Sequence, residues 1–597
     1  MFSLLPFVRL HLNPWRTYDD FQHHTLAQRH EYMIARLESA RRREWLWVVI
    51  VAGIGFFTDA YAIFSVNTVV PMLETVYWQD KDEHVRNNYK VALSIATLGG
   101  ALVGQVLFGV AADIWGRRKM YGLELVVLIF TTIGLALSSE GALGSMSVIG
   151  LLVFWRFFMG LGLGGDYPLS AVICSEFAPT RIRGRMLAAV FFCQSLGALA
   201  ANVVALIAVA GFRHQLREDS SGVVCSGACI RDVDRIWRLI VGLGAVPAFI
   251  ALWFRLTIVE SPRYTAEVTQ NSLQAAADVT YYFFRPDEDI PEPQMHQVTE
   301  DTGISPTTTR PDSYPSSIIS DRSSARQEAV LPVDLGTFFT TFKAFAVRPR
   351  TFRLLFATCS CWFFLDLPFY GLGLISPDVI MTIWSGSNTK APPLYDSYFQ
   401  NSYRSMVVVS SGAVVGNILA ILTIDRLGRR NMQLNGFFWL FILNLVIGAA
   451  FKPLARGNDS SALIVLYVLS QIFFNFGPNT TTYIIPAEVF PTRFRCTSHG
   501  LAAASGKLGS VMAQCFLAYV DFGSGSNHEG ADPTNWLGYA LLCLSAFMFL
   551  GLVVTYFFIP DVKDSKGEIK SLETLAQDLL ESPGPPGESH DEERRGG

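Results

Sequence analysis

Asp113-Ile-Trp-Gly-Arg117-Arg118 returns as Asp425-Arg-Leu-Gly-Arg429-Arg430, 312 residues further along the chain. Glu176-Phe-Ala-Pro-Thr-Arg181-Ile-Arg183 returns as Glu488-Val-Phe-Pro-Thr-Arg493-Phe-Arg495 at the same offset of 312. Two unrelated motifs sharing one offset imply two copies of a single unit. Each motif lies between long apolar stretches, so the unit is a set of helices and the motifs are turns that join them.

A bilayer core about 30 Å thick takes roughly 20 apolar residues per helix. Working outward from the motifs, six such stretches lie in the first copy, near 46–73, 91–112, 120–139, 147–172, 187–211 and 237–258. The second copy holds six more, near 352–382, 404–424, 433–452, 462–485, 498–520 and 536–559. Charge content agrees. Residues 1–44, 262–350 and 561–597 hold 47 of the 98 charges, which leaves the other 427 residues about 12 % charged. A soluble domain carries about 25 %, so a string of globular domains is excluded. The net charge of −4 gives no basis for nucleic-acid binding. The expected fold is an all-α polytopic membrane protein of 12 transmembrane helices in two six-helix bundles. Its parts are an N-terminal segment 1–44, a bundle 45–262, a linker 263–350, a bundle 351–560 and a tail 561–597. Both copies run in the same direction, so the axis relating them lies along the membrane normal. Transporters built this way hold substrate between their halves near the midplane and rock the halves alternately.

Positive charges set the orientation. Arg41, Arg42 and Arg43 precede span 1; Arg117, Arg118 and Lys119 follow span 2; Arg181, Arg183 and Arg185 follow span 4. Arg426, Arg429, Arg430, Arg493 and Arg495 repeat the pattern in the second copy. All share one side, which predicts cytoplasmic termini. The stretch 1–14 is too short and too interrupted for a cleaved signal, so span 1 should be an uncleaved anchor. The sequon Asn458-Asp459-Ser460 then falls in an outward loop. Cys225 and Cys229 fall in another, where a disulfide and two unpaired thiols are both open readings.

Inside apolar spans a charge costs at least about 2.5–3.5 kcal/mol, so ionisable residues there mark function. Four stand out: Asp59, Asp166, Asp366 and Lys507. Trp362, Asp366 and Tyr370 follow one another at four-residue steps and share a helix face. Pro368 beside them should kink the helix and open backbone groups to a cavity. Span 10 is unusually polar at Asn475-Phe-Gly-Pro478-Asn479-Thr-Thr-Thr482-Tyr483, and Gln194 is a lone polar group in span 5. Tyr167 and Asn479 stand 312 residues apart, so the two copies place hydrogen-bonding groups at one equivalent depth. Gly160-Leu-Gly162-Leu-Gly164-Gly165 lies within span 4 and reads as close helix packing, not a nucleotide loop. No metal-ligand spacing or nucleophile–base motif suggests an enzyme.

The Asp-x-x-Gly-Arg-Arg turns and Glu260-Ser261-Pro262-Arg263 resemble the major facilitator superfamily. More specifically, Gly164-Gly165-Asp166-Tyr167-Pro168-Leu169-Ser170, the Asn475–Asn479 run and Ala504-Ser505-Gly506-Lys507 resemble its phosphate:proton symporters of fungal and plant type. The resemblance implies phosphate ligands at Tyr167, Gln194, Trp362, Asp366, Tyr370 and Asn479. It implies proton coupling and charge balance at Asp59, Asp166, Asp366 and Lys507. It implies gating loops at Asp113, Arg117, Arg118, Glu176, Arg181, Asp425, Arg429, Arg430, Glu488 and Arg493. One departure is Ala62, where the family commonly has a second span 1 aspartate, so that Asp59 acts alone. The function so implied is import of inorganic phosphate with protons, in the plasma membrane, driven by the proton gradient with no cofactor or metal. Inorganic phosphate, protons and the lipid bilayer are then the partners. A glycerophosphodiester carrier and a phosphate-sensing transceptor are the alternatives. Phosphate near neutrality is rich in acceptor oxygens, which neutral donors satisfy. An anionic Asp366 would repel phosphate, so it should be protonated when phosphate is bound.

The Ser/Thr/Pro-dense stretch 302–324 and the tail 583–597 read as unstructured. Residues 335–345 read as an interfacial amphipathic helix leading into span 7.

Overall fold

The computed structural model describes residues 25–39, 42–218, 220–221, 224–225, 227–256, 258–283, 335–385, 393–456, 460–519, 533–564 and 566–580. Asn458 of the sequon, the stretch 302–324 and the tail 583–597 lie outside the described residues. Twelve helical spans long and apolar enough to cross a bilayer follow one another, as the sequence predicts. They are Trp45–Tyr77, Glu83–Trp115, Arg117–Ala136, Val148–Phe177, Thr180–Gly211 and Ala228–Leu256, then Pro349–Gly373, Leu394–Leu427, Arg429–Ala449, Ser461–Val489, Thr492–Tyr519 and Leu537–Phe558. They are numbered 1 to 12 below. This is a multi-pass integral membrane protein.

The duplication read from two motifs governs the packing. Span 2 packs on span 4, span 1 on span 5, and span 3 on span 6. Their counterparts pair in the same way: 8 on 10, 7 on 11, and 9 on 12. The halves meet where span 2 packs on 11 and span 5 on 8, again a symmetric set.

Small residues permit this approach. A Cβ on Gly164 of span 4 would strike the Ala101 carbonyl oxygen of span 2, and a Cβ on Gly160 would strike that of Thr97. Gly116 and Gly428 end spans 2 and 8 at φ of 101° and 86°, where a side chain is strained. The glycine of each Asp-x-x-Gly-Arg-Arg motif is therefore a conformational requirement of the turn.

Four spans are interrupted, one of them span 6, which breaks at Gly244 between Leu243 and Ala245. Span 1 is broken between Phe64 and Val66, span 8 carries a wide turn over Met406–Ser410, and span 10 breaks at Gly477 before Pro478. Span 7, by contrast, continues helically through Pro368. Cys225, in the loop after span 5, forms a disulfide with Cys229 in the first turn of span 6, which decides between the two open readings. The helix Leu335–Ala346 turns Phe338 and Phe345 onto Phe494, in the 3-10 turn that opens span 11. These two rings are engaged by protein, while Leu335 and Phe339 of the same helix remain exposed.

Beyond span 12, helix Leu572–Leu580 buries Leu572, Leu575 and Leu579 and ties the tail back to the first half. Glu573 Oε1 accepts from Arg263 Nε at 2.9 Å. Burial alone would raise the Glu573 pKa, but the Arg263 charge overrides it and holds the carboxyl at about 2. A depressed acid contributes its stability above its unfolded pKa, about 4.3 for glutamate, and loses it only as pH falls through about 2. The tail should therefore stay docked at any pH above about 4. Glu573→Gln, which leaves Arg263 without this counter-ion, should speed proteolytic release of the tail at neutral pH. A second expectation concerns packing. Gly164→Val should destabilise the purified protein by about 1–3 kcal/mol in thermal unfolding. Gly211→Ala, at a position with nothing within 4 Å, should leave the midpoint unchanged.

Candidate functional site

Lys507 is a buried cation of span 11. Its Nζ donates to Asp366 Oδ2 at 2.7 Å and to Tyr370 OH at 3.1 Å, both on span 7. Spacing of four residues puts Asp366 and Tyr370 one turn apart on the face toward span 11. Gly506 makes room, because a Cβ there would lie 2.9 Å from Asp366 Oδ2 and would strike the Trp362 ring. The ammonium also stands 4.3 Å from the Tyr370 ring centroid and 5.2 Å from that of Tyr167, within cation–π range. Trp362 closes the group, 6.4 Å from Tyr167 between ring centroids. Five of the residues singled out in the sequence, drawn from spans 4, 7 and 11, thus converge between the two halves.

Asn479 and Gln194 do not join this group by a hydrogen bond. Asn479 donates to Asn475 Oδ1 at 3.1 Å, Asn417 Nδ2 reaches the same oxygen at 3.2 Å, and Asn417 also donates to Ser195 Oγ at 2.7 Å. This amide chain spans the interface between spans 5, 8 and 10. Gln194, beside Ser195, keeps Oε1 buried and without a partner, an acceptor available to a ligand.

Asp166 and Tyr167 are consecutive yet serve two different clusters. Tyr167 faces the interface, while Asp166 is held within the first half by Arg255 Nη2 at 2.9 and 2.8 Å. Arg255 also pairs with Glu124, and Asp59 faces the same group with Oδ2 unpartnered. Gly55, one turn before Asp59, is required here: a Cβ would strike Arg255 and lie 2.6 Å from Asp166 Oδ2. The sequence reading of four buried charges was therefore incomplete. Glu124 and Arg255 lie inside the predicted spans 3 and 6, close to their ends, where a charge ordinarily reads as facing the membrane surface. Both side chains are nonetheless buried, paired with each other and, through Arg255, with Asp166. Arg156, eight residues into span 4, was likewise passed over, although its position within an apolar run was the signal.

The repeated loops form a seal between the halves. Arg495 Nη1 meets Glu176 Oε1 at 3.0 Å, and Arg183 Nε meets Glu488 Oε1 at 2.9 Å. These are the same pair in the two copies, each crossing the interface. Arg429 clasps Glu488 in two hydrogen bonds of 3.0 and 2.9 Å, and Arg117 lies 3.4 Å from Glu176 and 3.1 Å from Asp113. Asp113 also accepts from Thr497 N and Oγ1, both at 2.7 Å, and so caps span 11 across the interface. Asp425, its counterpart, has looser contacts of 3.2 Å to Arg429 and 3.4 Å to Arg185. Four expected gating residues stand apart from the seal. The Arg118 backbone binds the Glu260 carboxylate, Arg181 is exposed, Arg430 donates to Tyr556 O, and Arg493 lies over Phe494. The second arginine of each motif, Arg183 or Arg495, makes the crossing pair. The first arginine sits in a single 3-10 turn and the second begins the α-helix, and only the second points into the interface.

On the other side of the Lys507 group lies a cavity of about 100 Å³. Its walls include both sides of the span 1 break and the end of the wide turn in span 8, through Phe64, Val66, Val409 and Ser410. Tyr370 and Gln514 form its floor toward Lys507.

The sequence profile described as Sugar (and other) transporter matches residues 47–299 and 395–570. A repressible high-affinity phosphate permease of Neurospora crassa is 38 % identical over 94 % of this chain and 91 % of its own length. The inorganic phosphate transporter PHO84 of Saccharomyces cerevisiae is 36 % identical over 86 % of this chain and 82 % of its own. Among solved structures, the proton:xylose symporter XylE bound to 6-bromo-6-deoxy-D-glucose superposes with a TM-score of 0.62 at 18 % identity, covering 89 % of this chain and 99 % of XylE. That likeness concerns the fold.

Removing one partner of a buried pair costs about 3–5 kcal/mol because the other charge is stranded. Glu488→Gln strands Arg183 and leaves Arg429 with Asp425 alone. It should open the seal and raise thiol labelling of the buried Cys496 by about tenfold or more, measured by mass spectrometry. An unchanged labelling rate would mean that other contacts hold the halves shut.

Proposed function

Because the chain belongs to the phosphate:proton symporter branch of the sugar (and other) transporter family, we propose that it imports inorganic phosphate with protons by alternating access. The observation that carries this reading is the Lys507–Asp366 pair, a cation neutralised by a titratable group at the interface between the halves. With Asp366 ionised, Lys507 is occupied. Once Asp366 takes a proton, the ammonium is free for phosphate oxygens, and Tyr370 and Trp362 offer neutral donors beside it. Proton and phosphate therefore load together, because an ionised Asp366 would both repel the anion and hold its cation.

Asp59, with its unpartnered carboxylate oxygen, and Asp166 form a second place for protons within the first half. We assign Gln194 and Asn479 to the phosphate shell as well, reached when the halves close around the anion. Release requires the crossing pairs Arg183–Glu488 and Arg495–Glu176 to part, which opens the side carrying the arginine loops. By the positive-inside rule that side is cytoplasmic, as are both termini, and the membrane is the plasma membrane. The proton gradient drives the cycle without a cofactor. The cavity has room for a small hydrated anion.

The test is uptake of radiolabelled phosphate in cells lacking their own phosphate transport. Uptake should rise toward acid pH and collapse with an uncoupler. Asp366→Asn cannot alternate between charged and neutral, so net uptake should fall by about a hundredfold or more, in line with loss of one partner of a buried pair. What remains should be insensitive to pH. Parental uptake with an unchanged pH profile in that variant would remove Asp366 from the coupling step.

A further inference from the structure

Arg156 has no place in the cycle described above, yet its surroundings are unusual. It stands on span 4, ten residues before Asp166, and its side chain is 2 % exposed. The large buried arginines elsewhere meet carboxylates: Arg117 and Arg495 at Glu176, Arg183 and Arg429 at Glu488, Arg255 at Asp166, and Arg263 at Glu573. Arg156 has no such partner among the described residues, and its Nη1 makes no hydrogen bond. A guanidinium stays charged at any physiological pH, so burial without a counter-ion carries a large penalty. It lines the cavity, and no carboxylate lines that cavity with it. Around it stand neutral polar groups, including Asn67, Ser94, Thr97, Asn202 and Gln514. A chamber with one unpaired cation, neutral donors and no anion is complementary to a small oxyanion.

We propose that Arg156 is the anchor of a separate outer phosphate site, occupied before phosphate reaches Lys507. The assignment rests on the phosphate reading above and adds a station to it. Arg156 and Tyr167 are eleven residues apart on span 4, roughly 16 Å along a helix, so one anion cannot sit on both clusters at once. Tyr370 joins them: it lines the cavity and its hydroxyl accepts from Lys507. The outer site concentrates phosphate while Lys507 is still held by Asp366. Protonation of Asp366 then makes the inner cation the stronger attractor and draws the anion inward. The planar guanidinium suits bidentate contact with a tetrahedral oxyanion.

The experiment is initial-rate phosphate uptake by the full chain carrying Arg156→Gln or Arg156→Lys, normalised to the amount in the membrane. Loss of a charge-assisted contact predicts that Arg156→Gln raises KM by about ten- to a hundredfold, with kcat within about threefold and the pH profile unmoved. Arg156→Lys, which keeps the charge and loses the fork, should fall between parent and Gln variant. An unchanged KM in either variant overturns the proposal. So does a displaced pH profile with KM retained, because Arg156 would then be serving a carboxylate in another conformation. If Arg156→Gln fails to accumulate, the Lys variant decides alone by the same two criteria. Failure of the parent chain to take up phosphate would instead sink the functional reading on which the proposal rests.

Discussion

Two crossed ion pairs, Arg183 with Glu488 and Arg495 with Glu176, hold the two halves of this molecule together at one end. Each joins an arginine of one copy to the glutamate of the other, so a single pair duplicated in the sequence becomes a two-fold clasp in space. Buried pairs of this kind are costly to break singly, and they carry further partners. Arg429 shares Glu488, Arg117 stands beside Glu176, and Asp113 caps span 11. The clasp is therefore cooperative, and a transporter that must open there has to release several contacts in one step. Helix Leu335–Ala346 and the tail helix Leu572–Leu580 both settle against this end, through Phe494 and through Arg263. The segments outside the bundles are thus tied to the part of the molecule that must move.

The clasp also decides where the chemistry can occur. With one end shut, the cavity lies toward the opposite face, bounded by the interruptions in spans 1 and 8 and floored by the Lys507 group. Irregular backbone at membrane depth is tolerated where it lines a polar space, and these breaks follow that rule. Asp166 and Tyr167 show how economically the space is divided. Successive residues on a helix point about 100° apart, so one serves a charge cluster within the first half and the next serves the interface between halves. A change on one side of span 4 is thereby coupled mechanically to the other.

Much of this was legible beforehand. The offset of 312 implied two copies, the apolar lengths implied twelve spans, and the four-residue spacing of Trp362, Asp366 and Tyr370 placed them on one face. The structure also brings Lys507 and Tyr167 to that face. Other features were not legible. Glu124 and Arg255 were in plain view as charges within spans, but hydropathy treats a charge near a helix end as facing the membrane surface; Arg156, well inside an apolar run, carried a signal that its charge alone could supply. Arg183 and Arg495 could not be told from Arg181 and Arg493, because a motif does not state where its α-helix begins.

The sequence by itself determined the number of helices, their duplication and the residue types that face one another along each helix. Those follow from composition and periodicity, which are local properties of the chain. Only the tertiary structure decided which charges are partners and which is left without one. Pairing depends on distance between helices far apart in sequence: Asp366 and Lys507 are 141 residues apart, and Arg183 and Glu488 are 305 apart. The same is true of Arg156. Its charge is a fact of sequence, but its lack of a counter-ion among the described residues is a fact of packing.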